Sequence, residues 1–367
     1  MSILSQAASR RRFLTTAAAA PAALAAPAIA TAAGQTKTWV VQTAWNGGVG
    51  LQVFQDWCAT IVEKTGGELA FEAKKEGDIA PAFEVYEALR DGKMHAAHNF
   101  TIYATKMNPA GAFLSSYPMA MRAPHEFDVF YYGLGGIEMA REIYAPHGVF
   151  YVGPVHHGPN IIHAKKPLRY IDDFRGITMR TPGGMVKEFF EALGATTVQL
   201  PGSQIFGALQ RGEIEAADFV GPSINYDYGF SQETQFISMG PAGYMSVYQP
   251  VDIMEISTGT EAWNELSPEM KGFVEQETHA FSDIHHAAIQ AADQAAWAKF
   301  EADGTRVSRL TAEDVRVMTK VMVPIWFDYA QRSPEATKVF KAQLDYMTSG
   351  SLGYVEREVA EIFTGSL

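Results

Sequence analysis

The chain has 367 residues, 47% hydrophobic and 19% charged. That is a globular composition, large enough for two lobes of ordinary size. The net charge is −12; residues 1–30 hold three arginines and no acid, so the remainder carries −15. Such an acidic surface argues against nucleic acid or anionic membrane as a partner, and an anionic ligand would need a local positive centre.

The N-terminal run Ser9-Arg10-Arg11-Arg12-Phe13-Leu14 fits the twin-arginine export pattern S-R-R-x-F-L. Alanine-rich sequence follows and ends in the small-x-small site Ala28-Ile29-Ala30. Pro21 and Pro27 interrupt this apolar run, which is too short for a membrane span, so residues 1–30 read as a removed signal peptide. Cleavage could also fall in Thr31-Ala32-Ala33. The single cysteine, Cys58, excludes an internal disulfide and reads as a small buried apolar residue.

Residues 38–43 alternate as a strand, with Trp45-Asn46-Gly47-Gly48 in the loop beyond it. A helix over 52–64, a strand over 69–74 and a helix from Pro81 to about residue 90 follow. This order favours a mixed sheet flanked by helices. Further on come a helix over 124–145 and a strand over 148–155. His156, His157 and His163 follow without the ordered spacing of a zinc site.

Residues 177–180 form a short strand that runs into Thr181-Pro182-Gly183-Gly184 and a helix over 185–193. Pro182 stops the strand, and the glycines permit close backbone approach at the helix start. Arg180 therefore sits at a strand's carboxyl end beside a helix N-terminus, where a guanidinium can grip a carboxylate through two parallel hydrogen bonds. A helix over 204–210 turns at Gly212 into a strand over 213–220 that stops at Gly221-Pro222. Two strands ending in Gly/Pro breakers outline a crevice at their carboxyl ends.

An internal repeat links this region to the first part of the chain. Ala88-Leu89-x-x-Gly92-x-Met94-x-Ala96-Ala97 recurs as Ala208-Leu209-x-x-Gly212-x-Ile214-x-Ala216-Ala217. Each copy turns a helix at Gly into a strand whose paired alanines allow tight packing, so two related lobes are expected. The remaining chain predicts an aromatic loop over 243–250, a strand over 251–257 and a long helix from Pro268 toward residue 302, capped by Ser267. Helices over 312–330 and 334–347 complete it, and His285-His286 read as a solvated helix face.

The Arg-x-x-Gly-Gly helix, the L-x-x-G-x-[IV]-x-[AG]-[AG] unit and the Phe219-Val220-Gly221-Pro222 ending together resemble the solute-binding subunits of TRAP transporters, over nearly the whole mature chain. The pattern is similar to the subgroup for 2-oxo and 2-hydroxy monocarboxylates, possible aromatic acids included. The resemblance implies an α/β, two-lobed periplasmic-binding-protein fold with mixed sheets flanked by helices and long helices bridging the lobes. It places residues 31–160 mainly in lobe 1, 161–255 mainly in lobe 2, and 256–367 in bridging and C-terminal helices. It implies a periplasmic receptor working with the membrane subunits of a TRAP transporter, without nucleic acid, and a homodimer made by exchange of the C-terminal helix in some members.

The ligand-binding residues it implies are Arg180, Tyr103, Asn160, Phe219, Gln249, Asn225 and Trp45. Tyr103 would donate its hydroxyl to the ligand carboxylate. In several relatives Na⁺ or Ca²⁺ bridges the ligand, which here would use the Phe219 carbonyl, Gln249 and Asn160. Gln249 stands where those relatives carry a carboxylate, and Phe219 replaces the commoner Trp. Tyr226, Tyr244, Tyr248 and Phe219 suggest an apolar pocket wall.

Enzyme chemistry finds no foothold. There is no G-x-S-x-G, no H-E-x-x-H, and Gly133-Leu134-Gly135-Gly136 does not complete a dinucleotide fingerprint. A secreted enzyme acting on a small carboxylate and a co-receptor of a sensor system are the alternatives to a transport receptor.

Overall fold

The computed structural model describes residues 36–349. The expected signal peptide, and with it the twin-arginine reading, lies outside them. Eleven strands are described: β1 (Lys37–Thr43), β2 (Leu69–Lys74), β3 (Ala96–Phe100), β4 (Val149–His156), β5 (Ile161–Ala164), β6 (Thr178–Thr181), β7 (Thr196–Gln199), β8 (Ala216–Phe219), β9 (Phe236–Met239), β10 (Ile253–Gly259) and β11 (Arg306–Arg309). They form two mixed sheets, β2-β1-β3-β10-β4 and β11-β9-β5-β8-β6-β7, with helices packed against them.

The repeat in the sequence is a repeat in topology. In the first sheet β1 lies parallel to β2 and β3, and β10 and then β4 add antiparallel. In the second, β6 lies parallel to β7 and β8, and β5 and then β9 add antiparallel. The paired alanines sit at equivalent registers: Ala96 and Ala97 lie beside Val41 and Gln42, Ala216 and Ala217 beside Met179 and Arg180. Gln42 is thus the counterpart of Arg180. It is spent inside its own lobe, donating to the Ala80 carbonyl and accepting from the Ile79 and Ala80 amides.

The chain passes between the sheets after β4 and again before β10. These crossings are tied to each other: the His157 amide donates to the Asp252 carbonyl, the Asp252 amide to Gly158, and the Asn160 amide to Gln249, at 2.9, 3.0 and 2.9 Å. The helix Pro268–Ala302 spans the same junction. Its Ser282 hydroxyl accepts from the His156 amide at the end of β4, and its Asp293 carboxylate accepts from the Ser223 amide just beyond β8.

Local chemistry explains the boundaries. Ser267, Thr311 and Ser333 each cap a helix that opens at the next residue, with the side-chain oxygen accepting the main-chain N–H three residues on. The continuous helix expected over 124–145 is broken. It runs as Pro124–Asp128, a wider π-type turn over Val129–Gly133, and Gly136–Tyr144, because Gly135 adopts φ 81°. The strands β7, β9 and β11 were not predicted, being four residues long and too short for alternation to show. His285 is no solvated residue: it is fully buried and bonds the His156 carbonyl at 2.9 Å. Its ring lies 5.1 Å from His98 and 5.3 Å from His157, and burial lowers the imidazoles of all three.

Cys58 is buried, and burial pushes its thiol well above the ordinary range. The helix Pro334–Met347 packs on its own chain, with Gln343 donating to the Phe113 carbonyl and accepting from Tyr117, so the described residues give no support to helix exchange. None of the described helices is long and apolar enough to cross a membrane.

Candidate functional site

Arg180 lies on β6 with its neighbours Met179 and Thr181 buried on either side. It is itself 2% exposed. Its Nε donates to the Leu200 carbonyl at 2.8 Å and its Nη1 to the Asp218 carbonyl at 2.7 Å, while the guanidinium lies 5.0 Å above the Phe219 ring. Nη2 is buried and has no partner. A buried cation with an idle donor is costly unless something else comes to it. Two carbonyls and a ring hold this one rigidly, with its free end forward. The Leu200 contact takes Nε, so the two parallel hydrogen bonds expected from the sequence would come from Nη2 and the second hydrogen of Nη1.

The free end faces a small cavity lined by Phe100, Ile102, Tyr103, Asn160, Arg180, Pro182, Phe219, Val220, Gln249 and Asp252. Its volume is about 10 Å³, room for roughly one water. Both lobes and both crossings contribute: Tyr103 follows β3, Arg180 and Phe219 belong to β6 and β8, and Asn160, Gln249 and Asp252 belong to the crossings. Binding and any hinge motion therefore share residues.

Five of the seven expected residues come together here: Arg180, Tyr103, Asn160, Phe219 and Gln249. Trp45 and Asn225 do not line the cavity. Trp45 is buried behind it, edge-on to Phe100 and against His157, and Asn225 turns back to donate to the Val220 carbonyl at 2.6 Å. Of the expected aromatic wall only Phe219 is present. Tyr244 is 56% exposed, Tyr226 packs edge-on to Phe300, and Tyr248 is buried with its hydroxyl on Asp218 at 3.0 Å.

Sequence reasoning missed Asp252. It is 4% exposed, lines the cavity, and accepts from the Ile253 amide through Oδ1 at 2.8 Å. Burial pushes its carboxyl up to about 7, with Asp218 adding to the rise and the Asn160 amide and Arg180 opposing it. The only signal was its place three residues after Gln249, in a segment read as the start of a strand. Asp218, whose Oδ2 is buried without a partner, is likewise pushed up to about 6 by burial, with Arg180 opposing. Burial raises the Tyr103 hydroxyl to about 12, again with Arg180 opposing.

The oxygens expected to hold a cation fit one only in part. The Asn160 Oδ1 is buried and unpartnered, but Gln249 Oε1 accepts from Asn160 Nδ2 at 3.4 Å while its Nε2 donates to Ser116 at 2.8 Å. All three expected donors are neutral, and the one carboxylate lining the cavity is Asp252. Among the described residues no group of three or more His, Cys, Asp or Glu is arranged to hold a metal ion.

Beside the cavity, and sharing Tyr103 with it, runs an open cleft of about 590 Å³ between Phe83, Thr105 and Lys106 of one lobe and Gly184, Lys187 and Glu188 of the other. Here the lobes touch. Gly184 has φ +58°, and a Cβ on it would come 3.1 Å from Ile102. The close approach needs glycine on both counts. Ser203 donates to Glu76 at 3.1 Å, and the Asn46 amide reaches the Tyr228 hydroxyl at 3.4 Å.

The sequence profile of the bacterial extracellular solute-binding protein family 7 (DctP) matches residues 44–332. The chain belongs to this family. It is 26% identical to a monocarboxylate 2-oxoacid-binding periplasmic protein of Nostoc sp. over 305 residues, 83% of this chain and 82% of the relative. A TRAP periplasmic solute-binding protein from Colwellia psychrerythraea, solved with calcium and pyruvate, superposes with a TM-score of 0.77 at 19% identity, covering 89% of this chain and 100% of that one. A TRAP solute-binding protein from Bordetella bronchiseptica, solved as a dimer with calcium and picolinate at one site, superposes at 0.76 and 19% identity, covering 91% and 98%. These likenesses show the two-lobed fold of the family's extracytoplasmic receptors.

Proposed function

We propose that this chain is the periplasmic receptor of a TRAP transporter, capturing a small organic acid, a 2-oxo or 2-hydroxy monocarboxylate, for delivery to the membrane subunits. The observation that carries the reading is Arg180: buried, braced by two carbonyls, with Nη2 free toward a cavity between two lobes. A carboxylate is the partner that satisfies both its charge and its donors. Tyr103 adds a hydroxyl from the opposite lobe, so an acid bound to both would hold the lobes together. The names of the Nostoc, Colwellia and Bordetella relatives support the ligand class. Gln249 is neutral where a bridging cation gains most from a carboxylate, so the acid is taken without an obligatory Na⁺ or Ca²⁺. The family is one of solute-binding receptors, so on this reading the acid is released unchanged and the chain acts as a receptor rather than an enzyme.

The test is mass spectrometry of the acid released from purified protein, followed by thermal-shift screening of organic acids. A carboxylic acid that raises the melting temperature and is recovered intact supports the reading. A panel of small acids with no effect, or turnover of the acid, contradicts it.

A further inference from the structure

The polar groups around the cavity are unevenly matched. On the donor side stand Arg180 Nη2 and the Tyr103 hydroxyl, both suited to a carboxylate. On the acceptor side stand Asn160 Oδ1, 3% exposed as a residue and without a partner, and the Asp252 carboxylate. Once a ligand carboxylate has taken the donors, these acceptors still face the same small space. A carbonyl oxygen placed there would set acceptor against acceptor at Asn160 Oδ1 and at an ionised Asp252, whereas a hydroxyl or ammonium group would give both a hydrogen.

The backbone that carries both acceptors is held in place. Asn160 and Asp252 sit on the two crossings that the main chain staples together at His157–Asp252, Gly158–Asp252 and Asn160–Gln249. The Asn160 Nδ2 is engaged with Gln249 Oε1, which leaves Oδ1 as the atom without a partner. Asp252 Oδ1 is held by the Ile253 amide.

We infer that Asp252, assisted by Asn160, is a specificity-determining pair that receives a hydrogen-bond donor on the carbon next to the ligand's carboxylate, so that the receptor takes 2-hydroxy or 2-amino acids over 2-oxo acids. This rests on the carboxylate being held by Arg180 as proposed above. A 2-hydroxy acid and a 2-amino acid offer the same donor at the same place and differ in charge.

The experiment is calorimetric titration of the full mature protein, stripped of ligand, with matched sets of one carbon skeleton: lactate, pyruvate and alanine, then phenyllactate, phenylpyruvate and phenylalanine. It is run in sodium-free buffer with chelator, and again with added Na⁺ or Ca²⁺. In whichever set binds, the hydroxy or amino member should bind about tenfold to a hundredfold more tightly than the 2-oxo member. The stronger of the two tells whether the donor is neutral or cationic. Asp252→Asn should shrink that ratio to within about threefold. The ratio is taken within one protein, so any loss of folding in the variant cancels, and the parent's ratio needs no variant at all. A 2-oxo acid that binds as tightly as its partners, or more tightly once a cation is added, overturns the inference, as does a ratio unchanged by Asp252→Asn. In either case the receptor reading stands if Arg180→Ala still abolishes binding. If no carboxylic acid binds the parent, both fall.

Discussion

Replacing Arg180 with Ala removes four things at once: the donor to Leu200, the donor to Asp218, the cation over Phe219, and the only cation lining the cavity. The first two bear on the fold, because each leaves a buried carbonyl unpaired at about 1–3 kcal/mol. The last bears on binding. A carboxylate brought into a sealed cavity without its guanidinium loses about 3–5 kcal/mol, which is roughly a hundredfold to several-thousandfold in affinity. Arg180→Lys keeps the charge but cannot span both carbonyls and still reach forward, so it should bind weakly. Tyr103→Phe removes a single hydroxyl and should cost about 1–3 kcal/mol. Calorimetric titration with the acid identified from the purified protein, on variants shown by circular dichroism and melting to be folded, reads these values. If Arg180→Ala bound within about threefold of the parent, the anion would be held elsewhere and the site would have to be abandoned.

The other predictions concern the frame. Gly184→Ala puts a Cβ 3.1 Å from Ile102 at a positive φ, so it should weaken ligand affinity by about tenfold or more by hindering closure. Normal affinity in the variant would show that the lobes need not meet there. Small-angle scattering should show a smaller radius of gyration with ligand than without, and equal profiles would count against lobe closure as the capture step. His163 is fully buried with both ring nitrogens unpartnered, and burial lowers its imidazole from 6.5 to about 3. As pH falls below 6.5 the unfolded chain takes up that proton and the folded one does not, so stability is lost through this window down to about pH 3. His163→Leu should therefore stabilise the protein more at pH 5 than at pH 7.5, by about 2 kcal/mol. An equal gain at both pH values in chemical denaturation would refute the assignment.

What the sequence revealed, and what it hid, follows from the range of the interactions. The helix starts at Pro268, Ala312 and Pro334 were legible because each is set by a cap within three residues of it. The two-lobe repeat was legible because Gly and paired Ala mark positions where backbones must pack closely. Arg180 could be placed at a strand end, but its bracing by Leu200 and Asp218 depends on residues brought together only by the second sheet. His285 looked solvated on a helix rich in alanine and acids, yet its burial comes from β3 and the first crossing. Asp252 was hidden for the same reason. Nothing local distinguishes a carboxylate at the head of a strand from one stapled against Gly158, 94 positions earlier in the chain.

The central claim is that a small acid lies between the lobes with its carboxylate on Arg180. A crystal structure of the protein with its tightest-binding acid tests it most directly. The account predicts a carboxylate oxygen about 3 Å from Arg180 Nη2, with the Tyr103 hydroxyl on the same group. Density for the acid in the open cleft between Lys106 and Lys187, with Arg180 Nη2 still unengaged, would contradict it.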